Sequence, residues 1–179
     1  KTVSGTVSSN TTWTGRYIVV GNVTVNSGAT LTVSPGSRVM VYPGISLTFS
    51  GKLTAVGTSG NMITFTSQSG QTAGSWGSII LDGNGAAGSR LEYVHFEYGT
   101  EIFVENVTAY PFVTIINSLI DHSIDGCHFY NASGWVASNT ISYPSGHGIH
   151  ITQYSQVACY FNTIIKTDHT GYGIVYNGG

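Results

Sequence analysis

A chain of 179 residues, 41% of them hydrophobic, is long enough for one domain with a continuous core and short for two. Charged residues make up only 8%, far below the usual quarter, so Ser, Thr, Asn and Gly must solubilise the surface, as suits an extracellular or cell-surface setting. Six basic against eight acidic residues give a net charge of -2, which leaves no cationic patch for nucleic acid, and no run approaches the roughly 18 apolar residues of a membrane span.

Helix is disfavoured throughout: Val, Thr, Ile and Tyr dominate, 24 glycines interrupt the chain, and no segment holds an i, i+3, i+4 apolar stripe. From Val23 onward, apolar-x-apolar triplets recur as Val23-Thr24-Val25, Leu31-Thr32-Val33, Val39-Met40-Val41, Leu47-Thr48-Phe49, Leu53-Thr54-Ala55 and Ile63-Thr64-Phe65. Their first residues lie 8, 8, 8, 6 and 10 apart. Ser27-Gly28, Pro35-Gly36 and Pro43-Gly44 punctuate them by fixing φ or permitting positive φ. Three such strands per turn of about 24 residues build one triangular coil of a solenoid. The fold expected is therefore all-β: a right-handed parallel β-helix, single-stranded, with three short strands per coil, spanning residues 1–179 as one domain. Each triplet points two apolar side chains inward and its middle residue outward.

The later chain repeats at a similar pitch. Asn117-Ser118-Leu119, Asn139-Thr140-Ile141 and Asn162-Thr163-Ile164 lie 22 and 23 apart, and nine residues after each Asn comes Gly126, Gly148 or Gly171. In a parallel stack of about 4.8 Å spacing, Asn117, Asn139 and Asn162 are expected to form a structural amide ladder. Cys127 and Cys159, the only cysteines, are expected as two buried free thiols and not as a bridge.

The stretch from Trp13-Thr14-Gly15 through Gly21-Asn22-Val23-Thr24-Val25, Gly28-Ala29-Thr30-Leu31-Thr32-Val33, Gly51-Lys52-Leu53-Thr54-Ala55-Val56-Gly57-Thr58 and Gly74-Ser75-Trp76-Gly77 resembles the N-terminal part of bacterial right-handed parallel β-helix repeat proteins of the pectin-lyase-like superfamily. The resemblance implies the fold, whereas its members range over pectin lyases, polygalacturonases, esterases, copper-loading proteins, tailspikes and adhesins. The sequence stops at Asn177-Gly178-Gly179 without an evident polar cap, so a segment of a larger protein, or a last coil covered by a flanking domain or another subunit, is expected.

Residues 1–81 contain no Asp, Glu or His; all eight acids and six histidines fall between Asp82 and His169. Acid-base chemistry must belong to the later coils. Matching Glu101–Glu105 to the coils that begin at Gly126, Gly148 and Gly171 gives inward columns of Ile102, Cys127, Ile149, Tyr172 and of Val104, Phe129, Ile151, Ile174. The outward columns then read Phe103, His128, His150, Gly173 and Glu105, Tyr130, Thr152, Val175. His128 and His150, one coil apart, suit a divalent Zn or Cu ion at about 2.0–2.1 Å, with Glu105, Asp125 or His147 as third ligand. Equally they suit general acid or base work poised by Glu105, or a solvated face with no chemistry. Glu101 and Glu105, four residues apart on one strand, lie near 13 Å apart at about 3.3 Å per residue, too far for a glycosidase pair.

Asp121, His122, Asp125, His147, Asp168 and His169 form a second cluster at turn ends, where ordinary turn capping competes with function. Pectate lyase relatives would bring an acidic calcium site and an arginine base, yet Arg16, Arg38 and Arg90 all precede the acid-rich coils. If the protein is an enzyme, a carbohydrate-active hydrolase or esterase is therefore favoured over an arginine-dependent lyase. The function expected is polysaccharide binding or processing on the outer face, with Phe103, Tyr130 and Glu101 contacting glycan and His128, His150, Glu105, Asp125 and His147 as catalytic candidates. A surface or adhesin scaffold and a metal-handling module are the alternatives.

Overall fold

The computed structural model describes residues 1–166 and 171–178. Strands of three to ten residues stack in three faces, and every pairing between them is parallel. The first face comprises the start of Arg16–Val25, then Arg38–Val41, Ile63–Ser67, Val94–Glu97, Leu119–Asp121, Thr140–Ser142 and Thr163–Ile165. The second runs from the end of Arg16–Val25 through Leu47–Phe49, Ile79–Asp82, Ile102–Glu105, Cys127–Tyr130 and Ile149–Thr152 to Ile174–Asn177. The third stacks Thr11–Trp13, Thr30–Val33, Lys52–Val56, Arg90–Glu92, Val113–Ile116, Ser133–Ala137 and Gln156–Tyr160. Arg16–Val25 turns the corner between the first two faces, and Thr2–Val7 pairs alongside it. The chain is thus an all-β parallel solenoid of about seven turns.

Alternation puts the apolar residues inside. Val23, Leu47, Ile79, Ile102, Cys127 and Ile149 form one inward column of the second face, and Val25, Phe49, Leu81, Val104, Phe129 and Ile151 the next. All are buried, and full burial of each such side chain stabilises by roughly 1.5–3 kcal/mol. The middle residues of the triplets face outward. Gly134 points inward, where any side chain would collide with the Phe129 ring, so its lack of a Cβ makes room for that aromatic.

The corners are built in two ways. Early ones use glycine at positive φ, as at Gly28 and Gly36. Later ones recur as columns of left-handed non-glycine residues, one column per corner: Tyr93, Asn117, Ser138, Phe161; Tyr98, His122, Tyr143; and Asn106, Asn131, Gln153. Each residue costs roughly 1–2 kcal/mol locally, offset by the strands that the bend brings into register. In the third column Asn131 Nδ2 donates to Asn106 Oδ1 at 3.1 Å, a short amide ladder on the outside.

Two expectations of register need correction. Leu119 pairs with Thr140 and Ile120 with Ile141, so the neighbour of Asn139 is Ser118 and not Asn117. The ladder is Ser118, Asn139, Asn162, with the first two buried: Asn139 Oδ1 accepts from the Ser118 N–H at 3.0 Å, and Asn162 Oδ1 from the Asn139 N–H at 3.0 Å. Asn139 Nδ2 donates to Ile115 O at 2.8 Å and Asn162 Nδ2 to Val136 O at 2.7 Å. Asn117 occupies the corner instead, its Nδ2 donating to Glu92 Oε1 at 3.3 Å.

In the last coil, Ile174 pairs with Ile149, Val175 with His150, Tyr176 with Ile151 and Asn177 with Thr152. The equivalent of Gly148 is therefore Gly173, not Gly171, because the preceding turn is two residues longer than the glycine spacing implies. Tyr172 is consequently outside and exposed, not inward. Cys127 is a buried free thiol as expected, whereas Cys159 is free but only partly buried.

Asn139→Ala strips the Ser118 N–H and the Ile115 carbonyl of their partners, and a lost buried hydrogen bond leaves a desolvation cost of about 1–3 kcal/mol per group. Chemical denaturation is expected to show a loss of about 2–4 kcal/mol. Asn117→Gly, which keeps a residue tolerant of positive φ at the corner, changes stability by less than about 1 kcal/mol.

Candidate functional site

The titratable residues gather on the outside of the second face. Register places Phe103, His128, His150 and Val175 in one outward column, and Asp82, Glu105, Tyr130, Thr152 and Asn177 in the next. Coil spacing fixes the imidazoles of His128 and His150 face to face, with ring centres 4.3 Å apart and planes inclined by 13°. Phe103 packs on the other side of His128 at 4.7 Å, and His147 meets His150 at 4.7 Å.

Carboxylates from the adjoining corner meet both imidazoles at Nδ1. Glu101 Oε2 lies 3.1 Å from His128 Nδ1, and Asp125 Oδ2 lies 3.4 Å from His150 Nδ1. Asp125 is held by its other oxygen, which accepts the His147 backbone N–H at 2.6 Å. On the far side of the ring, His128 Nε2 is 3.1 Å from Thr152 Oγ1, and that hydroxyl donates to Phe129 O at 3.1 Å. Ligand atoms of Asp125, His128 and His150 lie within 4.8 Å of one another. Burial, then the neighbouring His128, lower the pKa of His150 from its usual 6.5, against the opposing pull of Asp125. His147 touches this group through its ring and backbone, but its Nδ1 is turned away: it accepts the Tyr172 backbone N–H at 2.9 Å, and its ring lies parallel to the Tyr172 ring.

Glu105 does not join the histidines by hydrogen bond. Its register partner is Asp82, one coil earlier, a residue that the sequence reading left out although it ends the same strand position as Glu105. Burial and the Asp82 carboxylate raise the Glu105 pKa above the ordinary 4.5, partly opposed by His128. A carboxyl that keeps its proton to higher pH has the property required of a general acid.

A different surface was missed on the third face. Trp135 stands outward between Thr114 and Ala158, with Tyr160 in the following column. Trp135 is 57% exposed and Tyr160 is 61% exposed. Between them lies a hollow of about 450 Å³, floored by Ala158 and edged by Phe112 and Gln156. A second hollow continues past Ala137 to Phe161, and a third lies on the Tyr110 side of Trp135. By contrast Phe103 is partly buried with one ring face against His128, and Tyr130 is 39% exposed.

The remaining candidates separate. Asp121 and His122 lie at another corner, where Asp121 Oδ1 accepts from Ser142 Oγ at 2.7 Å and the His122 ring sits between those of Tyr98 and Tyr143. Asp168 and His169 lie outside the described residues. The arginines are on other faces: Arg38 approaches Glu97 at 3.8 Å on the first, and Arg90 grips Glu92 at 2.7 Å on the third. No arginine therefore stands beside Glu101, Glu105 or Asp125.

A solenoid of parallel three-strand coils, with acids and aromatics displayed on its outer faces, defines the class of protein. Residues 5–115 match the family model of the pectate-lyase like beta helix domain, and the chain belongs to that family. No curated protein and no solved structure matches the chain. The matched segment covers Asp82, Glu101, Phe103 and Glu105, whereas Asp125, His128, His150 and Trp135 follow it.

Since the folded chain holds the Glu105 proton above pH 4.5 where the unfolded chain releases it, Glu105 lowers stability as pH rises through that window. Glu105→Gln is accordingly expected to raise Tm at pH 7 by about 1–3 °C. The gain should vanish below pH 4.5, as read by thermal unfolding across a pH series.

Proposed function

We propose that this protein binds an extracellular polysaccharide along the aromatic surface of the third face, with Trp135 as its principal platform. The observation that carries this reading is the exposure of Trp135 in a hollow also edged by Tyr160 and Gln156. An indole or phenol ring offers an apolar face to the C–H side of a sugar ring, while amide and hydroxyl groups at its border take the sugar hydroxyls. Ala158 is essential to this arrangement, because a large residue one coil above would cover the indole. Membership of the pectate-lyase-like family supports a polysaccharide partner in general, and a surface low in charge suits a polymer ligand recognised by stacking and hydrogen bonds.

The open hollow favours a chain running across several coils over a small enclosed ligand. Glu105 with Asp82, one face away, supplies carboxyl chemistry of the kind a hydrolase uses, without placing it at the Trp135 surface.

Trp13 and Trp76 are buried at 4% and 1% exposure, so acrylamide quenching of the native protein reports Trp135 almost alone. Affinity electrophoresis through gels containing polygalacturonate, xylan or β-glucan is expected to retard the protein on at least one polymer, and the same polymer should shield Trp135 from quenching. Trp135→Ala should weaken retention at least tenfold, about 1.4 kcal/mol, with the far-UV spectrum unchanged. Equal mobility in every gel, or undiminished binding by Trp135→Ala, overturns the proposal.

A further inference from the structure

We infer that Asp125, His128 and His150 form a binding site for one divalent transition-metal ion of the zinc class, on the second face and independent of the Trp135 surface. The argument begins with a proton count. Thr152 Oγ1 has one hydrogen and gives it to Phe129 O, so towards His128 Nε2 it acts as acceptor. His128 thus carries a hydrogen on Nε2, and its neutral tautomer aims an Nδ1 lone pair at the corner where Glu101 Oε2 waits 3.1 Å away. An imidazole nitrogen and a carboxylate oxygen at that distance share one positive partner, either a proton on Nδ1 or a metal cation in its place. His150 repeats the arrangement one coil on, with Nδ1 facing Asp125 Oδ2 at 3.4 Å.

A ring nitrogen from each of His128 and His150 and an Asp125 carboxylate oxygen lie within 4.8 Å of one another, and both Nδ1 atoms face carboxylates. Ligands at about 2.0–2.1 Å from a tetrahedral ion lie roughly 3.3 Å apart, so side-chain rotation of about an ångström closes the set. The hydrogen bond from His128 Nε2–H to Thr152 and the bond from the His147 backbone to Asp125 Oδ1 are outer contacts of the type that orient metal ligands and raise their basicity. Two imidazoles with one carboxylate select zinc, copper or nickel over calcium and magnesium, which prefer all-oxygen sets. Three protein ligands leave one tetrahedral position for water or a substrate oxygen. Glu101, held against His128, stands next to that position as a hydrogen-bonding partner for the fourth ligand.

Isothermal titration of the full chain, stripped with chelator and then given ZnCl2 at pH 7.5, tests the site. One ion per chain is expected, with His150→Ala and Asp125→Asn each weakening it at least tenfold and His122→Ala, at a different corner, leaving it unchanged. CaCl2 and MgCl2 should bind at least tenfold more weakly than ZnCl2. Substituting Co2+ in the unaltered protein should give the ligand-field absorption of a tetrahedral nitrogen and oxygen site, a readout that needs no variant to fold. Absence of Zn2+ uptake and of that absorption overturns the inference, and so does one-to-one binding that survives both substitutions or is lost in His122→Ala.

Discussion

Every feature of this molecule depends on the backbone ladder between successive coils. Each interior strand both donates to and accepts from each of its two neighbours, and because all pairings are parallel, equivalent residues stand directly above one another at about 4.8 Å. The fold has no contact pattern that one coil can satisfy alone. An inward column must be apolar along its whole length, as Val23, Leu47, Ile79, Ile102, Cys127 and Ile149 are. Where backbones approach most closely the ladder also dictates the residue: a Cβ on Gly126 would fall on the Gly148 carbonyl, which cannot retreat without breaking its bond to Cys127.

The same constraint leaves the outward columns nearly free, and the chain uses them unevenly along its axis. The second face begins with Thr24 and Thr48, small hydroxyls suited to a solvated sheet, then passes through Ile80 and Phe103 to His128 and His150. The third face likewise changes from Thr32 and Thr54 to Arg90, Thr114 and Trp135. Scaffold and chemistry are separated along the axis, and the two candidate surfaces are separated around it. The Trp135 surface and the Asp125 corner therefore belong to different walls of one solenoid.

Much of this was legible in the primary structure, because the triplets report both strand length and which side chains are buried. Pairing of Ile102 with Cys127 and Ile149, and of Phe103 with His128 and His150, followed from matching glycines and alternating apolar residues. Legibility failed where two apolar residues adjoin. Leu119 and Ile120 offer either phase, and aligning Leu119 with Ile141 moved the amide ladder onto Asn117 in place of Ser118. It failed again in the last coil, where turn length is not encoded by strand pattern and Gly171 imitates Gly173. Trp135 was passed over for a third reason: in Ser133-Gly134-Trp135-Val136-Ala137 a tryptophan between small and apolar residues reads as core. Only the phase set by Val136 and Gly134, both inward, turns it outward.

Vertical register also explains why side-chain clusters arise on such a scaffold. A solenoid forces like columns together, so two histidines one coil apart must stack, and two carboxyls one coil apart must repel. The chain answers the first case with acids from the adjoining corner, Glu101 beside His128 and Asp125 beside His150, repeating the imidazole–carboxylate pair at the pitch of the coil. In the second case no Lys or Arg among the described residues pairs with the Asp82 and Glu105 stack, and the Glu105 pKa is raised, with His128 opposing only in part. The contrast is informative about where order comes from. The strands that hold His128 and His150 would fix those rings at the same separation whatever their chemistry, so their convergence requires little extra loss of side-chain freedom. A site assembled this way is preorganised by the fold, and its ligands stay aligned as long as the ladder beneath them does.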